Sequence, residues 1–303
     1  MEPAVLQQVA LGGAIPLAVG LILFALRWWG SPSEPADRPG LWRDRVVVLA
    51  IGVTAAAMHW LITGARARFP SPDASGWLPW VYLLSALVLS WRLRYPTLAL
   101  GWIGLFLGVA GAIVSARVLL GGSWSRDASL AHLGGAMLFG GVMGWGLVRA
   151  ARRSALLALG SAALTFGVLA GAAPAVFDNL KSGQGVGVFA AVAGAGAIVA
   201  LFRRPVLLHP AVVIVMVVGA SVTLWQGVTF SQSPWWQRLT IGVLAAAAPV
   251  IASLGRAPQP ESPDPYPRGR SLLWTGLSFI PLLGILALAG YVMRASSGAE
   301  YDY

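Results

Sequence analysis

Residues 206–228 read VLLHPAVVIVMVVGASVTLWQGV. The stretch holds no Asp, Glu, Lys or Arg, and its only titratable side chain is His209. Wound as a helix it would be about 35 Å long, enough to cross a hydrocarbon core of about 30 Å. An unpaired charge there would cost several kcal/mol, which is why such stretches exclude charge. The pattern recurs along the chain. Counting this one, ten candidate spans emerge: 4–26, 46–63, 77–91, 96–116, 129–149, 154–176, 184–202, 206–228, 237–254 and 271–293. The third is short, but Trp77, Trp80 and Trp91 can extend it into both interfaces.

The composition of the whole chain agrees. Hydrophobic residues make up 57% of it, charged residues 11%, and the mean hydropathy is +0.73. The polar segments between spans are too short for a separate soluble domain. Residues 1–303 are therefore expected to form a single membrane-embedded domain, an all-α polytopic helix bundle of about ten transmembrane helices. There are no cysteines, which excludes disulfides, thiolate metal sites and cysteine nucleophiles. The chain opens Met1-Glu2-Pro3, and its first basic residue, Arg27, follows the first apolar run. A cleaved signal peptide would carry its positive charge first, so 4–26 is expected to be a retained helix with its N-terminus outside.

Placing the N-terminus outside sorts the charges. Fourteen of the 21 basic residues then fall on the inner side, with five of the eleven acids. The inner side carries +9 and the outer side +1. This is the asymmetry of the positive-inside rule, with both termini outside. The net charge of +10 is thus a topology signal and implies no nucleic-acid partner. The fourteen tryptophans fall near the predicted ends, as an aromatic belt would. Arginine replaces lysine almost everywhere, Lys181 being the sole lysine. With abundant Ala and Gly, this is the composition of a GC-rich genome and points to the cytoplasmic (inner) membrane of a bacterium.

Two inner linkers, 30–45 and 255–270, are rich in proline and arginine and are expected to be extended. Gly101, Gly104, Gly108 and Gly111 recur at 3-4-3 spacing, and Gly140/Gly144 and Gly167/Gly171 form G-x-x-x-G pairs. Such faces let helices approach closely where lipid removes the usual hydrophobic drive. They are expected to pack the bundle internally or to receive other membrane subunits. Pro16, Pro79, Pro174, Pro210, Pro249 and Pro281 lie within spans and permit kinks away from a first turn. Two five-helix halves would be inverted relative to each other.

Chemistry-bearing residues are few. With no Asp or Glu inside the spans, ion coupling through a buried carboxylate and carboxylate catalysis are not expected. His59 and His132 fall about one turn from the outer ends of their helices and share a depth. Two such histidines on facing helices could ligate a haem, with Arg66 or Arg68 near its propionates. Quinone binding is the other cofactor reading, and no metal is implied. Together with Gln7, Gln8 and Gln226, the same histidines could line an outward vestibule for a neutral or zwitterionic ligand. Polar residues near an interface are also tolerated without function. Two classes of function follow. One is a permease for a small neutral, zwitterionic or lipid-like molecule. The other is a non-catalytic subunit or assembly factor of a membrane complex, joined through the glycine faces.

Overall fold

The computed structural model describes residues 7, 9–28, 41–64, 75–120, 124–202, 208–254 and 268–298. Among them there is no strand. The helices are α1 (Ile15–Trp28), α2 (Leu41–Thr63), α3 (Leu78–Trp91), α4 (Thr97–Leu120), α5 (Arg126–Ala151), α6 (Ala155–Phe177), α7 (Leu180–Phe202), α8 (Pro210–Phe230), α9 (Trp235–Leu254), α10 (Arg268–Leu277) and α11 (Ile280–Gly298). A π-turn, Ala10–Ala14, leads into α1, and α10 and α11 are two parts of one span. Among the described residues, nine spans are long and apolar enough to cross a membrane; α3 with its preceding 3-10 turn, Ser75–Trp91, is a shorter apolar one. The chain is a multi-pass, all-α membrane bundle.

Helix ends follow local chemistry. Ser125 and Ser154 cap α5 and α6 by accepting from Ala128 N at 3.2 Å and Leu157 N at 3.4 Å. Asp178 ends α6 in the left-handed region (φ 51°), and Asn179 at once caps the next helix, accepting from Ser182 N at 2.9 Å. This tight turn lays α6 and α7 side by side as the most extensive helix pair. Pro79 and Pro210 sit in first turns, where a missing N–H costs nothing. Pro174 and Pro249 lie inside helices. Pro281 cannot bond the Leu277 carbonyl, and the last span breaks there into α10 and α11.

The bundle is organised around α8. It packs on α2, α3, α4, α5, α6 and α7, and its residues 211–224 are all buried. A helix apolar on every side belongs in such a place. The α6 helix joins this centre to α5, α9, α10 and α11, while α1 covers α7 and α2. Packing is not two-fold symmetric between the five-helix halves. Helix α6 packs on α8, whereas α1 and α3 share no comparable interface.

Side-chain bonds fix which helix ends lie together. At the arginine-rich end, Arg27 of α1 binds Asp44 of α2 through Nε–Oδ1 at 2.9 Å and Nη2–Oδ2 at 3.2 Å. Both side chains are buried (7% and 1% exposed). The sequence places these charges in an inner linker. The structure instead starts α2 at Leu41 and buries the acid in its first turn, where a carboxylate also meets the helix dipole. Beside them His209 caps α8: its Nδ1 accepts from Ala211 N at 3.2 Å, and its Nε2 donates to the Leu93 carbonyl at 3.0 Å. Burial pushes His209 below the usual histidine range, against the pull of Asp44. At the opposite end His59 Nε2 donates to the Ser75 carbonyl at 3.0 Å, and His132 bonds Thr229. Helix α3 therefore runs the full depth, tied to α8 at one end and to α2 at the other.

The tryptophans divide. Trp42, Trp91, Trp235 and Trp236 are exposed, as an interfacial belt requires, but Trp28 is buried against Phe24. Most of both linkers (29–40 and 255–267) lies outside the described residues, as do Gln8, Arg66 and Arg68.

Candidate functional site

The glycines of α4 and α5 do two different things. Gly104 and Gly111 press on α8. Gly104 abuts Ile214, and a methyl group on Gly111 would stand 2.8 Å from Val222. Gly101 and Gly108, three residues earlier in each case, are rotated by about 60°. A methyl group on either would meet nothing within 4 Å. They face a groove bounded by α4, α5 and α8, with a volume of 640 Å³. Gly140 and Gly144 form part of its α5 wall, in ordinary contact range of Ser221 and Val217. Its floor is the stripe Ile214, Val218, Ser221 and Trp225 of α8, spaced four, three and four residues apart.

The groove is long and narrow. Along α4 its lining runs from Thr97 to Ala112, which is about 22 Å of helix. Along α5 it runs from Arg152 back to Ala136. The groove starts at the arginine-rich end of α4 and passes the middle of that helix. Exposed Leu98, Trp102, Met137 and Trp145 flank it on the lipid side.

Its polar groups are few and placed at intervals. Arg149 and Arg152 stand at the arginine-rich mouth, and neither forms an ion pair among the described residues. The Arg149 guanidinium lies over the Trp145 ring, 5.3 Å from its centroid. Deeper in, Ser221 is 9% exposed and its hydroxyl has no hydrogen-bond partner. The Trp225 Nε1, one turn further, also has none. The neighbouring hydroxyls on α8 behave otherwise. Thr223 donates to the Gly219 carbonyl at 2.6 Å and Thr229 to the Trp225 carbonyl at 2.7 Å. Such back-bonding is the usual fate of a hydroxyl in an apolar helix. Among the described residues, Ser221 and Trp225 are the two residues with an orphaned group that also line the groove, and both of those atoms are covered by protein.

Among the described residues, no hydrogen bond or ring contact joins any two of His59, His132, Gln226 and Gln7. His132 lies between Trp124 and Trp225, with ring centroids at 4.5 and 4.7 Å, and its Nε2 donates to Thr229 Oγ1 at 2.8 Å. His59 sits edge-on to Tyr82, whose hydroxyl meets Thr223 at 2.6 Å. Gln226 is buried in α8. Gln7 is exposed at a separate, more polar cleft shared with Asp178, Asn179, Lys181 and Gln184. Both imidazoles offered for a haem already bond through Nε2, and α2 and α5 share no packed interface. A haem between them would require both bonds to break.

The last glycine pair, Gly167 and Gly171 on α6, is exposed with open space above it. In the sequence Arg149 and Arg152 count only among the fourteen basic residues of the inner side, and Ser221 stands out in no motif. The i, i+4, i+7, i+11 stripe on α8 was the signal available for Ser221.

Comparison with protein-family models, curated proteins and solved structures finds no match to this chain. The class that fold and groove define is an integral membrane protein with a long apolar cleft open to lipid.

Proposed function

We propose that the protein is a permease for a lipid-like molecule, which enters the groove sideways from the membrane and moves along it. The observation that supports this is the groove itself: a glycine-lined channel that continues past the middle of α4, apolar except for a few hydrogen-bond donors. Glycine exposes helix surface without filling the gap, so an alkyl chain can lie against α8 and gain close contacts. A small neutral solute would find little to bind in walls so apolar. Of the ligands considered from sequence, the lipid-like one is favoured. The arginine-rich composition and charge asymmetry support a bacterial cytoplasmic membrane as its place of action.

The test is translocation of a fluorescent single-chain phospholipid between leaflets of vesicles containing the purified protein. Wild type should accelerate it. Gly108→Leu fills the groove at a position with room for a side chain and should abolish the acceleration without unfolding the bundle. Equal translocation by both proteins would sink the proposal.

One observation favours the subunit reading. Gly167 and Gly171 present an uncovered small-residue face on α6, of the kind that pairs with another transmembrane helix. Mild-detergent purification should then recover a stoichiometric partner that Gly167→Leu releases.

A further inference from the structure

We infer that the molecule held in this groove is an acidic lipid, whose headgroup is taken up at Arg149 and Arg152 from the leaflet at the arginine-rich end. This rests on the groove reading above and specifies its ligand.

The argument begins with what the lining lacks. Every polar side chain in the groove carries an N–H or O–H donor, and none is a carboxylate, a carboxamide or an imidazole. Arginine and the indole N–H can only donate, and the backbone carbonyls of helix interiors are already engaged. A zwitterionic head would leave its cation without a counter-charge in this groove. A phosphate or carboxylate head brings acceptors alone and matches the whole set. Two guanidinium groups at one mouth suit it best, since each can grip two anionic oxygens at once.

Depth supplies the second part. Gly140, beside Ser221, lies nine residues from Arg149, or about 13 Å along the helix. The orphaned hydroxyl therefore sits well inside the span, where water is scarce. Leaving it unpaired there carries a desolvation penalty. With the headgroup held at the mouth, the acyl chain lies along this stretch of α8.

The experiment is native mass spectrometry of the purified protein after incubation with equimolar phosphatidylglycerol and phosphatidylcholine of identical chains. Wild type should retain the acidic lipid in preference, by about tenfold or more, as charge-assisted bonds to two arginines imply. Replacing both arginines, Arg149→Gln with Arg152→Gln, should erase the preference while lipid is still retained. The Arg149→Lys, Arg152→Lys protein keeps the charge and should keep a preference. Arg94→Gln, an exposed arginine at the same end but outside the groove, should change nothing. An unchanged preference in the double Gln variant, or an equal loss in Arg94→Gln, would overturn the inference. Gly108→Leu separates it from its foundation. Lipid retained as before by that variant means the groove is not the binding site. Lipid lost, with no preference in wild type, means the groove stands and the acidic headgroup falls.

Discussion

At the residue scale, the decisive question for each small or charged side chain is what lies across from it. Gly146 of α5 faces the backbone of α9, and a methyl group there would stand 2.7 Å from the Pro249 carbonyl carbon. Backbone cannot swing aside, so Gly146→Ala should destabilise by about 1–3 kcal/mol, read as a lower unfolding temperature in detergent. Gly108→Ala, with open space, should leave that temperature unchanged. The buried Arg27–Asp44 pair makes a sharper case. Asp44→Asn strands a buried guanidinium and should cost about 3–5 kcal/mol. Replacing both residues by apolar ones of similar size should recover most of it. His209 adds a pH dependence, with Asp44 and Arg27 as its charged neighbours. Its folded pKa lies below the ordinary value, so the unfolded chain takes up the proton first as pH falls. Its contribution is full above about pH 6.5 and is lost as pH drops through the folded value. Thermal stability should therefore fall on acidification, and less steeply in His209→Asn, which can still cap α8. Equal slopes would contradict this. None of these three residues was legible as a partner in sequence. Arg27 and Asp44 are 17 positions apart across a proline-rich linker, and nothing local announces that they meet.

At the scale of the element, sequence reading recovered what depends on periodicity and composition and missed what depends on rotation. The spans were visible because exclusion of charge is a property of each stretch taken alone. The 3-4-3 glycine stripe on α4 was visible too, but its division was not. A rotation of about 60° puts Gly104 and Gly111 against α8, and Gly101 and Gly108 over the groove. Which pair faces a neighbour depends on where α5 and α8 stand. The stripe on α8 shows the same limit, since Ser221 is one more small residue until α4 and α5 are placed beside it. A direct consequence concerns Ser221→Ala. Removing an orphaned hydroxyl removes its desolvation penalty, so in detergent without lipid the variant should be as stable as wild type or more so. A variant that loses stability in lipid-free detergent would show that the hydroxyl has a structural partner.

At the scale of the molecule, charge asymmetry and side-chain bonding agree on the two ends of the bundle. The end assigned inside by its arginines is the end where Arg27 meets Asp44 and His209 meets Leu93. The absence of cysteine makes the assignment testable without background mutations. A cysteine at Arg94 should react with a membrane-impermeant maleimide only in broken cells, and one at Lys181 in intact cells; the reverse would invert the topology. The account as a whole stands on the groove and on what fills it. The most direct measurement is a single-particle structure of the protein in lipid nanodiscs. The account predicts a rod of density along the floor of α8, between Gly101 and Gly108 on one side and Gly140 and Gly144 on the other, with its head at Arg149 and Arg152. Helices α4 and α5 closed together over Ser221, with no space between them, would contradict it.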